Sequence, residues 1–336
     1  MKKNMLSFLA ILLTSSLLNA TESYLLEPEV AVKMINRKNI QFLSIGKEKN
    51  IIVGSQRVDI DALFDVDVLG NMKCEPFVIC PRKLKKYLEK RGITSDQELI
   101  LYDSQYGINS ATLYAVLKAI GHQHVKVLNG GYKSIQKLDP NQETYDKYLK
   151  EKKLIFSQDN NDSFKKQLMN KVESLNDKLS VLKPLLLIQK VHTGRILDLN
   201  KTYNLDRSKF NFDSLVDRDL LKKAVNRVRE EGSDSNTSIL DACSMIDIVG
   251  NRYGSYVSDV YSIDWKELVN TKKKSLNSKE LLKKMFIKKG LSKEKDIYVY
   301  CMEGSQKAFF MALALDESGY EKVKVFSGDW SVWRRE

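Results

Sequence analysis

Near-continuous apolar runs recur at paired places along the chain: Leu99–Tyr102 and Val125–Leu128 in the first half, Ile297–Tyr300 and Val323–Phe326 in the second. Runs of this length predict strands buried on both faces, as in parallel sheets. Between the members of each pair lies a helical stretch to about Ile120 or Ser318, then a glycine. A Lys-rich amphipathic helix precedes each pair and ends at Gly92 or Gly290, where a left-handed cap calls for glycine. Strand, helix, strand at this spacing predicts a βαβ unit in each half. Earlier strands fit at Ile40–Ile45 and Ser238–Ala242.

The two halves are copies. A shift of 198 residues, which carries Tyr102 onto Tyr300, also superposes Lys90 on Lys288, Gly92 on Gly290, Leu117 on Leu315 and Gly121 on Gly319. Val125-Lys126-Val127 falls on Val323-Lys324-Val325, and Gly130 on Gly328, without a gap. Such matching means two copies of one supersecondary unit. The expected fold class is α/β: two domains, each a parallel sheet flanked by helices, with a long helical insertion between them.

The boundaries follow from the same patterning. Residues 1–20 read as a signal peptide: Lys2 and Lys3, an apolar run from Met5 to Leu18, and a small-residue site at Leu18-Asn19-Ala20. Residues 24–141 form the first domain, 142–236 the insertion and 237–336 the second domain. In the insertion, Phe164, Leu168, Val172, Leu175, Leu179 and Leu182 recur at helical spacing before Pro184. Leu220, Leu221, Ala224, Val225 and Val228 predict a second helix. Export implies an oxidising compartment, most simply a periplasm, where Cys74 and Cys80 form either a local disulfide or two buried thiols. No other long apolar stretch exists, so no stable membrane span is expected.

Composition narrows the chemistry. The 336 residues are 43% hydrophobic and 29% charged, with 5 Pro and 16 Gly, which excludes collagen-like and disordered classes. The net charge of +12 is spread over Lys-rich helices and selects no partner by itself. With 3 His, 4 Cys and no C-x-x-C pair, neither a metal nor a cofactor is expected. His122 and His124 flank the Gly121 turn and read as turn and packing residues.

Open α/β sheets place chemistry where a strand ends and a helix begins, because helix N-termini present unpaired N–H groups. In the second copy that place reads Tyr300-Cys301-Met302-Glu303-Gly304-Ser305-Gln306-Lys307. Backbone amides from Met302 to Lys307 would form a nest around the Cys301 sulfur, stabilising a thiolate. The alternative is a buried, inert cysteine. In the first copy the equivalent residue is Asp103, which cannot act as a soft sulfur nucleophile, so that copy is expected to be silent.

These motifs resemble the tandem-domain rhodanese family, the thiosulfate and 3-mercaptopyruvate sulfurtransferases. The resemblance covers both domains, about two-thirds of the chain. It rests on Cys301-Met302-Glu303-Gly304, on Gly319-Tyr320 leading to Val323–Phe326, on Gly328-Asp329-Trp330-Ser331-Val332-Trp333, and on Asn129-Gly130-Gly131. It implies that Cys301 attacks a sulfane sulfur donor (thiosulfate, polysulfide or mercaptopyruvate), becomes a persulfide and passes the sulfur to a thiol or cyanide. Met302, Glu303, Gly304, Ser305, Gln306 and Lys307 are the implied substrate-binding loop. Where the family commonly has Asp-x-Arg, this chain has Asp241-Ala242-Cys243, and Glu303 stands where thiosulfate-using members often carry a basic residue. A carboxylate there repels a dianion by roughly a kcal/mol or more, which favours polysulfide, a persulfide or a protein partner as donor. Lys307 and Arg252 are either candidates to restore positive charge or solvated surface residues, the latter being the favoured reading for Arg252. Cys243 is either a resolving thiol for Cys301 or a small buried residue filling the space of the missing arginine.

Two other readings compete. A phosphatase of related shape needs Cys-x5-Arg, and here the spacing ends on Lys307, which lacks the planar fork that grips phosphate. A non-catalytic binding or redox-sensing module would use the helical insertion to recruit a periplasmic protein partner. Nucleic-acid binding has no aromatic–basic motif in its favour.

Overall fold

Each half of the chain folds into a five-stranded parallel sheet, and the two sheets share one topology. A computed structural model describes residues 23–67, 71–139, 141, 147, 150, 169–174, 188–190, 202–243, 261–301 and 304–328. In chain order the first half supplies β1 (Leu25–Leu26), β2 (Ile40–Ile45), β3 (Asn50–Ile52), β4 (Gln56–Val58), β5 (Glu98–Tyr102) and β6 (Val125–Leu128). After β7 (Ile188–Lys190) come β8 (Leu215–Val216), β9 (Thr237–Asp241), β10 (Tyr261–Ser262), β11 (Val269–Asn270), β12 (Ser275–Leu276), β13 (Asp296–Tyr300) and β14 (Val323–Phe326). The spatial orders are β1-β6-β5-β2-β4 and β8-β14-β13-β9-β10. Every neighbouring pair in both sheets runs parallel. Strand for strand, the second sheet repeats the first. The short antiparallel pairs β3–β7 and β11–β12 lie outside them.

The central strands are buried along nearly their whole length because helices cover them, which is why they read as apolar runs rather than as alternation. The helices Ile108–Ala119 and Ser305–Glu317 occupy equivalent places after β5 and β13, and they pack against each other. A helix covered by its own sheet on one side and its twin on the other must be apolar over most of its surface, and both bury most of their residues. One continuous core therefore runs through both halves, from Leu43 and Leu101 across Leu113 and Phe310 to Val299 and Phe326. A smaller cluster of Phe42, Ile100, Tyr102 and Ile135 covers the other face of the first sheet.

Two expectations need correction. The strand read as Ser238–Ala242 is Thr237–Asp241, because the ladder pairs Thr237 with Asp296 and Asp241 with Tyr300. In the first sheet Ser44 pairs with Tyr102, so Asp241 is the counterpart of Ser44 and the copies slip by one residue here. The second correction concerns the reach of the insertion, read as 142–236. Its last part belongs to the second domain: β8 is the edge strand beside β14, and the helix Arg218–Glu231 packs on β9. Asp217 caps that helix by accepting from the Leu220 amide at 2.8 Å, and Leu221, Ala224, Val225 and Val228 form its buried face. Leu220, expected on that face, is exposed.

The stretch before β8 lies along the first domain. The Asn211 amide donates to the Ala119 carbonyl, and the Tyr203 ring stacks on His122. His122 is buried, 2.8 Å from the Tyr203 hydroxyl through Nδ1 and 3.1 Å from the Gln97 carbonyl through Nε2. Burial drives its pKa down to about 4, and its role is packing, as expected. Most of the helix expected over Phe164–Leu182 lies outside the described residues, of which 169–174 are helical. Residues 1–20 lie outside them as well. Among the described residues no helix is long and apolar enough to cross a membrane. Cys74 and Cys80 are joined, with Cα atoms 5.3 Å apart, just before the helix Pro81–Glu89.

Candidate active site

The carboxyl ends of β9 and β13 lie side by side, and the chemistry gathers there. The ladder brings Asp241 level with Tyr300, and one further bond, from the Ala242 amide to the Tyr300 carbonyl at 2.9 Å, extends the pairing past the strand ends. Parallel neighbours in register thus deliver Cys243 and Cys301 to the same spot. Their Cα atoms are 5.1 Å apart, inside the span a disulfide requires, and the two are bonded. Cys243 is wholly buried and Cys301 is 1% exposed.

This differs from the expectation of a Cys301 thiolate held in a ring of loop amides. In this state the sulfur is covalently engaged and shut away from solvent, and its partner is the residue that stands in the place of the missing arginine. Cys243 is thus shown bonded to the candidate nucleophile rather than only filling space. The first copy carries neither sulfur: Asp103 replaces Cys301, and by strand register Gly46 replaces Cys243.

Asp103 displays the cradle that this fold builds after the strand. Its Oδ1 accepts from the amides of Gln105 at 2.7 Å and Gly107 at 2.9 Å, and its Oδ2 from the amide and hydroxyl of Ser110 at 2.8 and 2.9 Å. Donors converging from a loop and a first helical turn make an anion site. Burial still outweighs those donors and raises the Asp103 carboxyl above its ordinary value. In the second copy the loop is one residue shorter, because the helix begins at Ser305 after Gly304 (φ +103°) where the first copy begins at Ile108 after Gly107. Ser110 maps onto Ala308, so the hydroxyl donor is missing there.

The remaining loop residues separate. Met302, Glu303 and Arg252 lie outside the described residues. Ser305 is buried in the first helical turn. Gln306 reaches across to the first domain, where its Nε2 donates to Asn109 Oδ1 at 3.3 Å, so its amide bridges the two helices. Lys307 lies close enough to Asp241 to favour its charged form.

Asp241 is the residue that sequence reasoning passed over, naming it only as the start of Asp241-Ala242-Cys243. It is 1% exposed. Its Oδ1 accepts from the Cys243 amide at 2.8 Å, while Oδ2 has no hydrogen-bond partner. Burial raises its carboxyl above the ordinary value; the Cys243 amide, the nearby Tyr300 hydroxyl and Lys307 pull the other way without satisfying Oδ2. The readable signal was a carboxylate closing an otherwise uncharged, fully buried strand. Among the described residues no group of three or more His, Cys, Asp and Glu side chains is placed to hold a metal ion.

Comparison with known proteins agrees with the duplicated sheet. The family model described as "Rhodanese-like domain" matches residues 30–138 and again 257–336. A curated protein of Mycolicibacterium smegmatis (strain ATCC 700084 / mc(2)155), named "Putative thiosulfate sulfurtransferase", is 22% identical over 252 residues, covering 75% of this chain and 73% of that protein. The crystal structure of SseA from Escherichia coli, among the 3-mercaptopyruvate sulfotransferases of "Rhodanese" fold, superposes with a TM-score of 0.63 at 18% identity over 92% of this chain and 99% of that one. The sub-stoichiometric sulfur transferase subunit of yeast mitochondrial complex I gives 0.68 at 19% identity, covering 92% and 95%.

Proposed function

The chain belongs to the rhodanese-like domain family, and on that premise we propose that it is a sulfurtransferase whose second domain carries sulfane sulfur on Cys301. The observation behind this reading is positional. Asp103 sits after β5 in a cradle of three amides and a hydroxyl, and Cys301 sits at the same place after β13. A site that turns three amides and a hydroxyl onto a buried carboxyl in one copy offers donors of the kind that a thiolate or a terminal persulfide anion would use in the other.

The reaction starts from the reduced pair. The Cys301 thiolate attacks the outer sulfur of the donor, the donor's sulfur–sulfur or carbon–sulfur bond breaks, and the bonding pair leaves with the donor remnant. A thiol or cyanide then removes the sulfur from Cys301. With Glu303 in the loop and no arginine after Asp241, a compact dianion such as thiosulfate is disfavoured and polysulfide is the preferred donor. The apolar, Lys-flanked start of the chain belongs to the same reading, as an export signal to a periplasm where disulfides persist.

The test is direct. Protein reduced with a dithiol and freed of it is offered polysulfide, thiosulfate and mercaptopyruvate separately, and intact mass and cyanolysis report sulfur on the chain. Polysulfide should react at Cys301, read as sulfur held on the chain or as its free thiols consumed, with thiosulfate poor, and Cys301→Ser should take up no sulfur. Equal or better turnover of thiosulfate would remove the Glu303 argument. A second reading, a non-catalytic module, draws on the burial of Cys301. It requires that none of the three donors adds sulfur to the reduced protein or consumes its thiols.

A further inference from the structure

We propose that Cys243 resolves the Cys301 persulfide internally, expelling hydrosulfide and leaving the Cys243–Cys301 disulfide, so that the site discharges its sulfur as sulfide without an outside acceptor. This deepens the sulfurtransferase reading and rests on it. The argument starts from what the strands impose. Ladder register puts residues 243 and 301 at adjacent strand ends with Cα atoms 5.1 Å apart, and the two sulfurs are already in the bonded arrangement that the step produces. A thiol held this close to a persulfide acts at an effective concentration that no free acceptor reaches.

A second observation points the same way. Asp241 fixes the Cys243 backbone through the 2.8 Å bond from its amide, and its second oxygen is buried with no hydrogen bond. A half-satisfied buried carboxylate costs stability where it stands, so its place at this strand end calls for a reason. Asp241 is a positioning residue in this scheme: it holds Cys243 at the strand end where the sulfurs meet. The silent copy has Ser44 and Gly46 at the two equivalent positions, so carboxylate and second sulfur are both absent where the nucleophile is absent.

The step balances within the chain. Cys243 sulfur attacks the inner sulfur of the Cys301 persulfide, which is Cys301 Sγ itself. A new Cys243–Cys301 sulfur–sulfur bond forms, and the bond from Cys301 Sγ to the transferred sulfur breaks. The electron pair of that broken bond leaves on the transferred sulfur, and the Cys243 proton ends on it, giving hydrosulfide. The transferred sulfur is reduced by two electrons and the two cysteine sulfurs are together oxidised by two. Each later round needs a dithiol reductant, which takes the disulfide back to two thiols and becomes a disulfide itself. The chain would therefore stand between a reaction that makes polysulfide and one that supplies reduced dithiol.

The experiment compares the full chain with Cys243→Ser, both reduced, freed of reductant and loaded anaerobically with polysulfide, with excess donor removed rapidly. Wild type should release about one hydrosulfide per chain with no acceptor added, and its mass should settle at that of the disulfide form. Cys243→Ser should keep the mass of one added sulfur on Cys301 and release sulfide only when a thiol is supplied. Loading of that variant itself shows that it is folded, and Cys243→Ala serves as the repeat if serine perturbs the site. If wild type and Cys243→Ser both hold a stable persulfide, or release sulfide alike, the internal resolution is overturned while the sulfurtransferase reading stands. If neither takes up sulfur, the sulfurtransferase reading falls and the resolution falls with it.

Discussion

Gly131 carries a backbone φ of +60°, and a Cβ placed there would overlap the carbonyl oxygen of Asp103, the counterpart of Cys301. The contact is with main chain, which cannot swing aside, so glycine is required twice over. Gly131→Ala should cost about 2–4 kcal/mol by denaturant melt. Asp316 shows a different tension. It lines a cavity of about 260 Å³ between the two halves, with Lys118 and Glu317 nearby, and burial pushes its carboxyl up to about 7. A folded-state value above the unfolded one means that folding binds a proton between the two. The penalty for its charge is therefore absent at low pH and grows as pH rises toward 7. Its surface is only partly covered, so the full linkage value is discounted. Asp316→Asn should stabilise by about 1–2 kcal/mol at pH 8 and by nothing near pH 3, which thermal melts at the two pH values will read.

Among the elements, β8 and the helix Arg218–Glu231 do the most that linear reading could not anticipate. Two residues, Leu215 and Val216, close the edge of the second sheet against β14, and the helix lays Leu221, Ala224, Val225 and Val228 over β9. A fragment beginning at residue 237 should therefore collect in the insoluble fraction, since it leaves the buried strand Thr237–Asp241 uncovered; soluble yield beside the full chain checks this. β1, β8 and β10, each of two residues, were illegible because a period needs more residues than they have. By contrast β6 and β14 were legible to the residue, since three buried apolar positions around one lysine, with glycine close on either side, admit little else. The one-residue slip at β9 was invisible to an ungapped shift, because only hydrogen bonding sets register.

At the scale of the whole molecule, the two domains behave as one packed body around the twin helices Ile108–Ala119 and Ser305–Glu317. Glu317, nearly buried at the end of the second, accepts from the Ser23 hydroxyl and from the Tyr24 amide, each at 2.9 Å, and so ties the segment leading into β1 to the opposite domain. Glu317→Ala removes the acceptor of a half-buried amide and should cost about 1 kcal/mol. Limited proteolysis should then cut near Ser23 sooner than in wild type. On the far side, Asn129 joins the halves again, its Oδ1 accepting from the Leu276 amide at 3.0 Å.

Duplication, parallel strands, the aspartate that stands in for the cysteine and the cysteine at a strand end were all determined by order along the chain: run length, glycine punctuation and one constant offset. These are nearest-neighbour properties, and short-range sterics and burial express them directly. The tertiary structure alone decided that Cys243 meets Cys301, that Asp241 stands beside them half-satisfied, and that the end of the supposed insertion completes the second sheet. Each of those depends on strand register and edge order, which are settled by hydrogen bonds between residues far apart in sequence and leave no periodic trace in it.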